Sequence, residues 1–194
     1  MSQHKTFLPP ARSSGIRHIG FVVADLERAM QTFAQDLALE TWYLPRFANG
    51  ENFLRGTQLL HTEYALASAF SGGVEVQLIQ VRGGDRDVCA DFLQTRGEGM
   101  HHVGVYVNDL EASVAAYRAR GIGILQAGQL NSSGKTRTQS KYAYLDTTAL
   151  GVTLELIELK WLGIPLRSSR ALFEFGALTG AITKKRIARA NGKF

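Results

Sequence analysis

The sequence predicts an α+β fold made of two tandem β-α-β-β-β units followed by a C-terminal helical extension. Three observations carry this. The run HIGFVVADLE beginning at His18 returns as HVGVYVNDLE beginning at His102, 84 residues later. GVEVQLIQ at 73–80 returns as GVTLELIE at 151–158, with an offset of 78. Tyr64-Ala65-Leu66 lies over Tyr142-Ala143-Tyr144 with that same offset. An internal repeat of this length marks a supersecondary unit used twice, and it outranks any single-segment reading.

Residues 1–15, with Pro9-Pro10 and Ser13-Ser14-Gly15, read as a flexible lead-in. The first unit, 16–81, opens with a β-branched, apolar strand at 16–24. A helix follows at 25–37, with Asp25 as N-cap and Leu26, Ala29, Met30, Phe33 and Leu37 as its apolar stripe. Strands are expected near 39–45, 57–67 and 73–81, with 48–56 as a loop of substrate-facing composition. A connector at 82–99 carries a short helix from Asp87 to Arg96, bounded by Gly83-Gly84 and by Gly97 and Gly99. The second unit, 100–159, repeats the order. It has a strand at 100–107, a helix at 109–120 capped by Asn108 or Asp109 and stopped by Gly121, then strands near 122–129, 138–147 and 150–159. Leu110, Val114 and Tyr117 form the buried face of that helix. Residues 160–194 have no counterpart in either unit. A helix is expected from about 168 to 190, and its Leu172, Phe173, Phe175, Leu178, Ile182 and Ile187 need a covering surface, from this domain or from a second subunit in a homodimer.

Composition narrows the function classes. Hydrophobic content of 45% with 20% charge is that of an ordinary soluble globular chain, and no apolar run is long enough for a membrane span. No signal segment opens the chain, and the lone Cys89 suits a reducing, cytoplasmic compartment, where it has no special chemistry. The net charge of +5 is concentrated at 167–194, which holds seven Lys and Arg against Glu174. No aromatic residues interleave with KKRIAR, so nucleic acid is not the expected partner.

The chemistry lies in four polar residues at duplicated positions. His18 and His102 each begin a strand, while Gln77 and Glu155 sit mid-strand among apolar neighbours. Strand alternation sends His101 to the face opposite His102, and the repeat matches His18 to His102. A buried amide or carboxylate is costly unless something satisfies it, and one metal ion between the two units satisfies all four groups. Two imidazoles, an amide oxygen and a carboxylate suit a divalent Co, Mn, Ni, Zn or Fe ion with positions left open for substrate.

RHIGFVVADLE at 17–27, VEVQLIQ at 74–80, FLQTRGEGMHHVGVYVNDLEA at 92–112 and GVTLELIE at 151–158 together resemble the vicinal oxygen chelate superfamily, which spans glyoxalase, bleomycin-resistance and extradiol dioxygenase proteins. Within it the chain is most similar to the methylmalonyl-CoA epimerases. The resemblance implies a mixed sheet curved around the metal. It also implies His18, Gln77, His102 and Glu155 as ligands, and an isomerase, epimerase or lyase that stabilises an enolate formed by α-proton removal. Glu155, Glu51, His61 and Glu63 are the candidates for moving the proton, and Arg55, Lys141, Tyr142 and Tyr144 for contacting substrate. That substrate would be a CoA thioester or another vicinal-dioxygen compound, and Lys184, Lys185 and Arg186 could hold CoA phosphates. Other members suggest a ring-cleaving dioxygenase, a glyoxalase-like lyase, or a metal-free binding or resistance protein.

Overall fold

The computed structural model describes residues 15–45, 47–54, 56–132 and 138–189. In chain order the elements begin with β1 (Ile16–Val22), α1 (Leu26–Leu37), β2 (Thr41–Pro45), β3 (Phe47–Leu54), β4 (Gln58–Leu60), β5 (Thr62–Ser71) and β6 (Val74–Gly84). Then come α2 (Val88–Arg96), β7 (Gly99–Tyr106), α3 (Leu110–Ala119), β8 (Ile124–Ser132) and β9 (Thr138–Leu145). β10 (Thr153–Trp161), β11 (Ile164–Leu166), α4 (Arg170–Leu178) and β12 (Ile182–Arg186) complete the chain. None of the described helices is long and apolar enough to cross a membrane.

The described strands join one curved, mixed sheet in the order β12-β2-β5-β6-β1-β7-β10-β9-β8-β3-β4, with β11 paired to β10. The repeat is visible in the order itself. β1, β6, β5 and β2 step outward on one side, and β7, β10, β9 and β8 do the same on the other. β1 runs parallel to β6, and β7 runs parallel to β10. At the centre β1 and β7 are antiparallel, and Ile19 faces Val103. Around that pair the register is symmetric: His18 faces Gly104 while Gly20 faces His102, and Ile16 faces Val105 while Phe21 faces Met100. A pseudo-two-fold axis therefore passes between Ile19 and Val103.

Period-2 alternation gives the sheet two faces. On the convex face α1 lays Leu26 and Met30 on Trp42, Ala67, Val76 and Leu78. On the other half, α3 lays Leu110 and Tyr117 on Val105, Ala143, Leu145 and Leu156. Both helices are capped by aspartate: Asp25 accepts from the Arg28 amide at 2.9 Å, and Asp109, not Asn108, accepts from the Ala112 amide at 2.9 Å. α2 instead packs on the concave side, where Cys89, Val88 and Phe92 meet Val22, Ile79 and Leu66.

Three expectations change. Residues 48–56 are not simply a loop: most belong to β3, which crosses to pair with β8 of the other half (Asn52 with Gly128) and turns back into β4. Backbone ladders need no apolar residues, so a polar stretch can extend a sheet without a hydrophobic signature. The long strand expected at 57–67 breaks at His61, whose carbonyl accepts from the Asp85 amide at 3.0 Å. The C-terminal helix stops at Leu178. Gly180 then turns the chain at φ 78°, and the β-branched Ile182 and Thr183 begin β12, which pairs with the free edge of β2 (Lys184 with Tyr43). α4 covers its own sheet, with Phe173 edge-on to Tyr43 and Phe70, so the apolar face that argued for a second subunit is partly covered within the chain.

Candidate metal centre and cavity

Each candidate histidine is placed by a β-bulge and by a glycine. In the β1–β7 ladder the register skips Arg17 just before His18, and His101 just before His102. Across from each imidazole stands a glycine. A Cβ on Gly20 would lie 1.9 Å from His102 Cε1, and one on Gly104 would lie 2.8 Å from His18 Cβ. The third residue of each His-x-Gly motif thus clears the space into which the other half's histidine reaches.

The two rings stack at 5.1 Å between centroids, with His18 Nε2 3.1 Å from His102 Nε2. Glu155, from β10, brings its Oε2 to 3.2 Å from His102 Nε2 and 3.7 Å from His18 Nε2. All three side chains are buried, and their ligand atoms lie within 4.8 Å of one another. Metal–nitrogen bonds of about 2.0–2.1 Å at right angles put two ligand atoms about 3 Å apart, so these separations suit one ion. Glu155 Oε2 is buried and has no hydrogen-bond partner, which is the kind of orphan a cation would satisfy. Gln77, half-buried on β6, lines the same cavity beside His18. The donor set therefore fits a divalent metal.

The outer nitrogens of both rings also have neighbours. His18 Nδ1 lies 3.5 Å from Glu75 Oε2, and His102 Nδ1 lies 3.0 Å from His101 Nδ1. The bulge at His101 breaks the alternation expected there, so the two adjacent imidazoles meet. Burial, then the neighbouring His102, hold His101 down to about 3, so it stays neutral. Burial also depresses His102, with Glu155 pulling the other way. For His18, burial is outweighed by Glu75 and Glu155, and its value is raised. For Glu155, burial pushes up, but the imidazoles, His102 first, hold the carboxyl below its usual range. Burial likewise pushes Glu75 up, yet the neighbouring His18 first, and then the hydrogen bond from Ser68, bring it down to about 2. Ser68 Oγ donates to Glu75 at 2.7 Å and Tyr106 OH donates at 3.0 Å.

Above this floor the concave face holds a cavity of about 430 Å³. Its walls follow strand parity: Tyr64, Leu66 and Ser68 on β5, Ser140, Tyr142 and Tyr144 on β9, and Ile157, Leu159 and Trp161 on β10. Cys89 reaches it from α2, and burial pushes its thiol up. One end is held by the fully buried Asp87, which caps α2 and also accepts from Tyr64 OH. Gln126 Nε2 donates to Tyr142 OH at 2.9 Å beside it.

The sequence-derived candidates separate accordingly. His18, His102 and Glu155 come together with Gln77 beside them, and Tyr142 and Tyr144 line the cavity. Lys141 does not. It lies between Tyr142 and Ser140 on β9, so parity sends it to the convex face, 3.5 Å from Glu111. His61 and Glu63 are exposed at the β4–β5 corner, away from the cavity. Glu51 lies on β3, where its backbone pairs with Gln129, and Arg55 lies outside the described residues. Lys184 and Lys185 reach Glu174 and Glu27, and Arg186 lies 3.5 Å from Glu40, so the tail's cations face carboxylates of the chain. Glu75 and the cavity walls from the C-terminal segment escaped the sequence reading. Glu75 had a signal, an acidic residue two positions before Gln77 on the same face of an apolar strand.

Residues 17–143, more than half of the sequence, match the Glyoxalase/Bleomycin resistance protein/Dioxygenase superfamily. The chain belongs to this superfamily. No curated protein matches the sequence. Similar solved structures include a hypothetical protein from Bacillus halodurans, with 22% identity, 80% of this chain and 97% of that one covered, and a TM-score of 0.51. Methylmalonyl-CoA epimerase from Mycobacterium tuberculosis shares 22% identity over 79% of this chain and 93% of its own, with a TM-score of 0.48. A Streptomyces coelicolor methylmalonyl-CoA epimerase variant in complex with 2-nitronate-propionyl-CoA shares 21% over 73% and 94%, with a TM-score of 0.44. At 22% identity the likeness to the Bacillus halodurans structure is one of fold alone.

Proposed function

We propose that this chain is a metal-dependent enzyme of the vicinal oxygen chelate type that moves a proton on a carbon beside a carbonyl, with an isomerase, epimerase or lyase outcome. One observation carries the reading: Glu155 Oε2 is buried without a hydrogen-bond partner, beside two imidazole Nε2 atoms, on the floor of a substrate-sized cavity. His18, Gln77, His102 and Glu155 would hold a divalent Co, Mn, Ni, Zn or Fe ion. Such an ion, when bound, supplies Lewis-acid stabilisation for the oxyanion that develops on the substrate carbonyl. Glu75 and His101 act from behind, fixing the imidazoles through their Nδ1 atoms, as carboxylates and other partners do for metal-bound histidines. Ser68 and Tyr106 donate to Glu75, so it serves as an orienting anion, not as the proton acceptor. Glu155 is the other carboxylate among the described residues lining the cavity. With Oε2 toward the ion, its other carboxylate oxygen would take the proton and return it to the carbon skeleton.

Metal analysis of wild type beside His102→Ala, after reconstitution with Mn, Co, Ni, Zn or anaerobic Fe(II), tests the centre. About one ion per chain, lost in the variant, is expected. Proton NMR in D2O with a panel of 2-substituted thioesters and 2-hydroxy ketones tests the chemistry: wild type should wash deuterium into the carbon beside the carbonyl, and Glu155→Gln should not. No stoichiometric metal under any condition would sink the enzyme reading and leave a metal-free binding cup. A second reading rests on the three-residue cluster itself, since two histidines and one carboxylate also make the iron site of non-haem oxygenases, and Gln77 is only half-buried. Preference for Fe(II) together with oxygen uptake on catechols would select it.

A further inference from the structure

We infer that the site takes a compact substrate whose chelating oxygens are carried on an apolar, aromatic or branched aliphatic body, and that the C-terminal segment supplies this selectivity. The inference rests on the metal-centre reading for the oxygens, and on the cavity alone for the body. α4 and the turn after it form part of the cavity wall, with Leu172, Phe173, Phe175, Ala181 and Ile182 all lining it. Opposite stand Leu66, Tyr142, Ile157 and Trp161 from the sheet. The groups that carry charge, His18, Glu75 and Glu155, are confined to the floor, and no Lys or Arg occurs among the described residues that line the cavity. A cavity of about 430 Å³ is in the range that engulfs a small organic molecule, with polar groups at one end to orient it.

The wall is a fixed part of the fold. β12 is laddered to β2 from Ile182–Pro45 to Arg186–Thr41. Tyr43 OH donates to Glu174 at 2.6 Å, Arg170 donates to the Phe70 carbonyl at 3.0 Å, and Arg189 pairs with Glu40 at 2.9 Å. Lys184, Lys185 and Arg189 are thus aimed at Glu174, Glu27 and Glu40, while Leu172, Phe173 and Ile182 line the cavity. A nucleotide-bearing carrier finds no cation on the described walls, whereas an apolar skeleton finds contact on both sides.

The test is calorimetric titration of the full chain, metal-free and cobalt-loaded, with four probes. 2-Naphthol carries only the apolar body, acetohydroxamate only the chelating oxygens, 2-naphthohydroxamate both, and coenzyme A only the carrier. 2-Naphthol should bind with or without cobalt. On the loaded protein, 2-naphthohydroxamate should bind on the order of tenfold tighter than acetohydroxamate, as burial of a bicyclic ring predicts. Coenzyme A should displace neither. Leu172→Asp should weaken 2-naphthol on the C-terminal side, and Ser140→Trp should do so by filling the cavity from β9 with α4 untouched. Near-UV circular dichroism checks that both variants are folded. Equal affinities of the two hydroxamates, or displacement of either by coenzyme A, overturn the inference. If cobalt is not retained, the metal reading fails by itself, and 2-naphthol still decides the question of the apolar body: no binding overturns it.

Discussion

Gly20→Ala is the sharpest perturbation the structure offers, because it adds one methyl group where an imidazole already stands. The new Cβ would lie 1.9 Å from Cε1 and 2.1 Å from Nε2 of His102. Restoring an ordinary contact near 3.5 Å requires a displacement of about 1.5 Å. The obstructed atom cannot swing into solvent, since His102 is fully buried, stacked on His18 and set against Tyr144. Overpacking of this kind costs about 1–3 kcal/mol of stability. A metal ligand tolerates only about 0.2 Å of misplacement, so cobalt affinity should fall by about 10–100-fold. Gly104→Ala should be milder, because its Cβ would meet His18 Cβ at 2.8 Å and Ile157 Cδ1 at 3.0 Å. Gly123→Ala is the control, with only an ordinary 3.8 Å contact to Asp146. Urea denaturation of the metal-free proteins and visible-absorbance titration with cobalt read the two effects separately. If Gly20→Ala keeps both the wild-type midpoint and the wild-type cobalt affinity, the proposed crossing of the two halves at this site is wrong.

Other expectations concern single groups. Glu75 is depressed from 4.5 to about 2, so its contribution to metal-free stability is fully present above about 4.5 and disappears as pH falls towards 2. Glu75→Gln should flatten that part of the acid-unfolding curve, and superimposable curves would refute the assignment. Leu156→Ala, at a fully buried position under α3, should cost about 2–5 kcal/mol in urea unfolding while leaving the metal stoichiometry intact. His61→Ala and Glu63→Ala, both exposed and off the cavity, should each change stability by less than about 0.5 kcal/mol and leave cobalt affinity unaltered. A loss of metal binding in either variant would return these residues to the site.

The duplicated units were readable because their signal is a repeat, which survives errors at any one boundary. Strand parity on β9 also separates Tyr142 and Tyr144 from Lys141. The bulges at Arg17 and His101 were hidden, since an extra residue in a ladder leaves no mark in composition. The run of apolar residues after Ser169 reads as one long helix because both a helix and an edge strand can bury such residues. Gly176 and Gly180 carried the hint, the first packed so tightly on Ile182 that a Cβ there would lie 2.6 Å from its side chain. β3 was missed for a different reason: its pairing with β8 is made by the backbone across a long separation in sequence, and no local pattern encodes it.

The axis between Ile19 and Val103 has a consequence for assembly. Neither half owns the centre: the imidazole of His18 on β1 lies against Gly104 of β7, and the imidazole of His102 on β7 lies against Gly20 of β1. A chain cut between β6 and α2 would yield two fragments, each holding one histidine and one oxygen ligand. Uptake of the ion would then report their reunion, with the ion acting as a rivet between two strands that have no other covalent link.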